Sequence, residues 1–248
     1  MITKNQFILS CIFNGSNTIM FIYYIYDIIQ HPTDLEHITR WSYYLNSIFT
    51  TICLSCDIIL YMSKKSEIED DYELINQKNN ECFIITLNDW NRNKFSPICN
   101  SLSYFVLIGF WIIYLIGDNL LLVHKSVKSW FNSIYFHLII TIIIVIDLFS
   151  SNRKPHIFNQ NYLLIITSIY ATYCGIITVE KYYFGRNAYI FMKNASGIFL
   201  GFCAFLGMIL IILSYFIHIY LIKLKSDYKN NKEVKEYCEK LLEDGNEE

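Results

Sequence analysis

Long apolar runs separated by short polar segments dominate the chain. A helix needs about 20 mostly apolar residues to cross a hydrocarbon core about 30 Å thick. Six stretches reach that length: 6–29, 41–62, 98–117, 131–150, 161–179 and 196–222. The third, fourth and sixth are the cleanest, each holding a long run free of Lys, Arg, Asp and Glu. The first is interrupted by Asn14, Gly15, Ser16 and Asn17, a polar middle that suits a helix packed inside a bundle. The Ile-rich stretch 141–146 would read as a buried strand in water. At membrane length the helix is the better reading, because it satisfies its own backbone hydrogen bonds in lipid. The pattern therefore predicts an all-α polytopic membrane protein. About six transmembrane helices fill 1–224, and 225–248 forms a charged tail. Only Lys4 precedes the first run as a charged residue, and no A-x-A-type cleavage site follows it, so it reads as a retained helix.

Composition agrees with the pattern. Hydrophobic residues make up 54% of the 248 residues and charged residues only 17%, against about 25% in a typical soluble domain. So much apolar surface also excludes disorder, and a net charge of −2 gives no footing for nucleic acid. The abundance of Ile, Asn, Tyr, Phe and Lys matches A/T-rich codons, which weakens any argument from Tyr or Asn counts alone.

Charge also orients the chain. The N-terminus, the 63–97 loop, the 151–160 loop and the residues after the sixth run (223–248) hold 1, 5, 2 and 6 Lys or Arg. The opposite segments, 30–40, 118–130 and 180–195, hold 1, 2 and 3. The positive-inside asymmetry predicts cytoplasmic termini. The 63–97 loop also carries Glu67, Glu69, Asp70, Asp71 and Glu73. A solvated tail is the simpler reading of 225–248; a surface helix with Val234, Tyr237, Leu241 and Leu242 on one side is the alternative.

Phosphate-loop, nucleophile-elbow and zinc-protease motifs are absent from the sequence. Cys53 and Cys56 form C-x-x-C, but within a membrane helix that spacing reads as small packing residues, not as a redox or zinc site. No cofactor or metal is expected. Ionisable residues inside spans are costly and functional by default. Asp27, Asp57 and Asp147 lie towards span ends and read as interfacial, as does His218. His31, His37, His124 and His156 fall in loops. His137 lies about two turns into the fourth span, with Asn132, Ser133 and Thr141 on or beside its face. A neutral imidazole there can accept a hydroxyl proton or serve as a hydrogen-bonded structural residue. The start of the second span supplies hydroxyls at Thr39, Ser42, Ser47, Thr50 and Thr51, which equally suit helix–helix hydrogen bonding.

Ordered landmarks add a further signal. The second span reads Trp41-Ser-Tyr-Tyr-Leu-Asn46 and ends near Asp57. The third carries Phe110-Trp111-Ile-Ile-Tyr114 and is followed by Asp118. Trp130-Phe131-Asn132 then precedes His137, and Tyr170 and Gly185-x-x-x-Tyr189 precede the last span. Over roughly 35–240 this order resembles the androgen-induced membrane protein family, which includes the androgen-dependent TFPI-regulating protein. The resemblance implies a multi-pass hydrolase of fatty acid esters of hydroxy fatty acids, with an intramembrane threonine nucleophile and a histidine base.

Carried over residue by residue, the base falls on His137. The family's N-H-x-x-H pattern has Ser133 in place of its first His here, and His137 stands one residue further along. The threonine position falls on Tyr43 when the pattern's end is matched to Tyr44-Leu45-Asn46, or on Leu45 when its Trp is matched to Trp41. Ser42 and Ser47 are the neighbouring hydroxyls, so the candidate catalytic residues are His137, Ser42 and Ser47. The competing expectation is a non-catalytic protein of the same fold that binds lipid or partners. A transporter or channel is a third, with no charged ring or paired broken helices to support it. Membrane lipids are the expected partners. Without a terminal K-D-E-L-like signal, the endoplasmic reticulum and the plasma membrane are both open.

Overall fold

The structure is a computed structural model that describes residues 3–30, 38–66, 74–116, 134–150, 158–185 and 192–244. His31, His37, His124, His156, Asp118, Trp130–Ser133, Tyr189 and the acidic residues of 67–73 lie outside the described residues, as does the side chain of Asp27. Seven α-helices follow one another: α1 (Lys4–Gln30), α2 (Ile38–Ser66), α3 (Leu74–Trp90), α4 (Ser96–Ile116), α5 (Ile140–Ser150), α6 (Gln160–Phe184) and α7 (Gly197–Asp244). π-helical segments, Asn91–Phe95 and Tyr135–Ile139, lead into α4 and α5. No strand occurs among the described residues.

Among the described residues, five stretches are long and apolar enough to cross a membrane: Lys4–Tyr26, Trp41–Ser63, Cys82–Ile112, Gln160–Phe184 and Gly197–Lys229. The shorter apolar helix His137–Ser150 stands where the fourth run was expected. The all-α polytopic reading therefore holds. The third span is the main correction. The sequence places a loop over 63–97 and starts the span at 98, but helix runs from Leu74 through the π segment into α4. Leu74–Trp90 is too polar to stand out as a membrane run, yet its later part lies inside the span.

The helices form two groups joined along α2 and α4. In one, Tyr24 of α1, Tyr43 of α2, and Ile140 and Ile144 of α5 pack together. In the other, Leu102, Phe105 and Val106 of α4 pack against Ile166, Tyr170 and Tyr173 of α6 and Ile211 and Tyr215 of α7. Phe49, Cys53 and Cys99 fill the join between α2 and α4. On α1, Ile8, Ile12, Ile19 and Ile22 are exposed, whereas Ser10, Asn14, Asn17 and Tyr24 are buried. This inverts the arrangement of a soluble amphipathic helix, because the solvent outside is lipid and interhelical hydrogen bonds replace apolar contact as glue. The polar middle of the first run is thus an inward face.

Local chemistry fixes the helix ends. Asn159 caps α6 by accepting from the Asn161 N–H at 2.9 Å. Gly185 ends it with a φ of 66°, a left-handed conformation that favours glycine. The Lys181 ammonium of α6 then donates to the carbonyls of Met192 and Ala195 at 2.5 and 2.9 Å, holding the turn that leads into α7.

Candidate functional site

His137 sits in the π segment Tyr135–Ile139 and is half-buried. Its imidazole stacks on Phe110 of α4, with ring centroids 3.8 Å apart and planes 14° from parallel. A π segment is what one extra residue makes of an α-helix, and such bulges recur at functional sites. This one lies where His137 stands one residue further from Asn132 than the resembled pattern has it. α5 continues beyond it.

The two candidate serines face different neighbours. Ser42 is buried against α4, its hydroxyl 3.4 Å from that of Ser103. Asn46, one turn further along, donates from Nδ2 to Ser103 Oγ at 2.6 Å and to the Ser42 carbonyl at 2.7 Å. Ser42 therefore belongs to a hydrogen-bonded knot that ties α2 to α4. Ser47 lies four residues after Tyr43, hence on the same face of α2, and Tyr43 packs against Ile140 and Ile144 of the helix that follows His137. Ser47 is fully buried, and its Oγ has no hydrogen-bond partner among the described residues. The same holds for Oγ1 of Thr141, which is buried four residues after His137. The structure thus sets two buried hydroxyls without partners on the two helices that Tyr43 brings together, and it gives Ser42 other work.

Three ionisable groups are buried between helices. Asp57 and Asp147, which the sequence places towards span ends, are both buried. Arg92, which the sequence places in a loop, lies between them, with Nη2 2.6 Å from Asp57 Oδ2 and 3.7 Å from Asp147 Oδ1. The cluster ties α2, the first π segment and α5 together, and Lys225 of α7 donates to the neighbouring Leu148 carbonyl at 2.8 Å. His218 is the third. It is fully buried, with Asn100 Nδ2 3.4 Å from its Nδ1 and the Tyr104 ring beside it. Asp57, Asp147 and His218 each sit near the end of an apolar run, and the partners that bury them lie on other helices. Cys53 and Cys56 are buried free thiols, and Cys53 Sγ accepts from Asn91 Nδ2 at 3.2 Å.

No curated protein and no solved structure matches the chain. Residues 9–224 match the family described as FAR-17a/AIG1-like protein, a span that covers every candidate residue and all but the end of α7. The chain therefore belongs to the FAR-17a/AIG1-like family, the androgen-induced family that its ordered landmarks resemble.

Proposed function

We propose that the protein is an integral-membrane lipid-ester hydrolase, acting on fatty acid esters of hydroxy fatty acids, with His137 as general base and a serine of α2 as nucleophile. The observation that carries this reading is the pair of buried, unpartnered hydroxyls, Ser47 and Thr141, on the faces that run down from Tyr43 and His137. A buried hydroxyl without a partner costs about 1–3 kcal/mol. The carbonyl or hydroxyl of a lipid ester entering the bundle would relieve that cost. Ser47 is a better nucleophile than Ser42, whose oxygen is engaged by Ser103 and Asn46.

In the proposed reaction the serine oxygen attacks the ester carbonyl as its proton passes to His137. The ester C–O bond breaks, and the hydroxy fatty acid leaves with that proton. Water then attacks the acyl-serine, releasing the fatty acid and returning a proton to the serine. The substrate is already dissolved in the bilayer of the endoplasmic reticulum or the plasma membrane, and membrane lipids are the surrounding partners.

A second reading rests on Tyr43. With Leu45 it is one of the two positions onto which the resemblance carries the family's threonine, and it is buried against Ile140 and Ile144. That substitution favours a non-catalytic, lipid-binding member of the same fold.

Turnover of such esters by purified protein separates the two. His137→Ala should lower hydrolysis by about 10²–10⁴-fold, the usual contribution of a positioned base. Ser47→Ala should abolish it, and Ser42→Ala should keep most of it. Equal background hydrolysis in wild type and His137→Ala would establish the lipid-binding reading instead.

A further inference from the structure

Ester hydrolysis consumes one water per turnover, and this site is enclosed by helices whose outer faces are apolar. We propose that the interface of α1, α2 and α5 is a hydrated path that brings this water to the His137 site from the membrane face nearest Asp57, Arg92 and Asp147. The purpose of the path rests on the hydrolase reading; its hydration does not.

Buried oxygens without hydrogen-bond partners among the described residues mark the route. Asn91 Oδ1 lies in the π segment beside Arg92. Asn14 Oδ1 faces inward on α1. Ser47 Oγ and Thr141 Oγ1 stand at the upper end, below Tyr43 and His137. All four residues are at least nine-tenths buried. Between them, Asn17 Nδ2 donates to Thr50 Oγ1 at 2.6 Å, and the hydroxyls of Thr18 and Thr51 lie 3.2 Å apart. Polar atoms therefore continue from one end of the interface to the other.

The surroundings of Tyr215 give the contrast: Leu102, Phe105, Ile166 and Ile211 belong to its cluster, and its hydroxyl is already taken up by the Asn159 backbone, accepting from the N–H and donating to the carbonyl at 3.1 Å each. Buried acceptors without protein partners are the groups that internal waters bridge, each water typically making about three hydrogen bonds. The charged end of the route lies within a few turns of the span ends at Ser63 and Ser150. Water reaches a carboxylate and a guanidinium there at lower cost than anywhere else in the bundle. The outer face of α1 cannot serve, because Ile8, Ile12, Ile19 and Ile22 meet lipid.

Hydroxyl-radical footprinting of the purified full chain in lipid nanodiscs tests this, because radicals formed from internal water oxidise the side chains beside it. Tyr43, beside Ser47 and 1% exposed, and Tyr215, in the other cluster and 0% exposed, form a matched pair. Tyr43 should be oxidised several-fold faster than Tyr215. Asn14→Leu, which fills an acceptor position with apolar volume, should bring Tyr43 down towards Tyr215. Thr50→Val should do the same without a change of shape. In turnover, both variants should keep a burst of the first product and slow the steady state, because release of the acyl group is the step that needs water. A Tyr43 rate equal to that of Tyr215 in the wild type overturns the path. Fast Tyr43 oxidation in a protein that hydrolyses no ester supports the path and overturns only the hydrolase reading.

Discussion

Arg92 holds its place because two carboxylates share it. Within a bilayer a lone guanidinium is costly, and so is a lone carboxylate. Removing one partner of a buried ion pair costs about 3–5 kcal/mol, because the charge left behind stays desolvated. Arg92→Met should therefore lower the thermal unfolding midpoint of the detergent-purified protein far more than Arg92→Lys, which keeps the charge. If the two variants melted alike, the cluster would be carrying shape and not charge. This arrangement was not legible in the sequence. Asp57 and Arg92 are 35 residues apart, and each looked like the charged edge of a run. The partners of His218 were hidden for the same reason, since Asn100 and Tyr104 reach it from another helix. His137 stands out in the sequence as the lone histidine of its segment, and the structure places it in a π turn against Phe110.

At the scale of elements, Gly207 of α7 leaves room for the Tyr170 side chain of α6. A methyl placed there would overlap the phenol of Tyr170. Small residues at such crossings let membrane helices pack backbone to backbone. Gly207→Ala should destabilise the protein by about 1–3 kcal/mol, the usual cost of overpacking. Tyr170→Leu in the same chain should restore part of the loss, and a double-mutant cycle on the melting midpoints would show the coupling. If the two effects simply added, the helices would not meet at this pair. The helices were legible wherever hydrophobicity alone built them. α3 escaped because a helix can form from Leu74 to Trp90 without an apolar run to announce it. The division of α2 into a Ser42 face towards α4 and a Ser47 face towards α5 also required the neighbours to be known.

At the scale of the whole molecule, the bundle is two groups sharing α2 and α4, and each buries polar side chains: Asn14, Asn17 and Thr50 in one, Asn100, Ser214 and His218 in the other. The apolar excess and charge deficit of the sequence announced a membrane protein, but not which helices would bury its polar residues. The span Cys82–Ile112 takes both Arg92 and Lys94 out of the 63–97 loop count and leaves the larger count on the same side. Epitope tags at either terminus should therefore be reached by antibody, or cut by protease, from the cytosolic side of sealed membranes without permeabilisation. Protection of both tags would reverse the topology.

One helix extends beyond the frame of the others. α7 runs unbroken for 48 residues, about 72 Å at the usual rise, whereas its membrane-spanning stretch ends at Lys229. Its last four turns are a lever. Whatever grips that arm outside the bilayer also turns the shaft carrying Lys225 and His218, and so applies torque to the carbonyl end of α5 and to the buried ring beside Asn100.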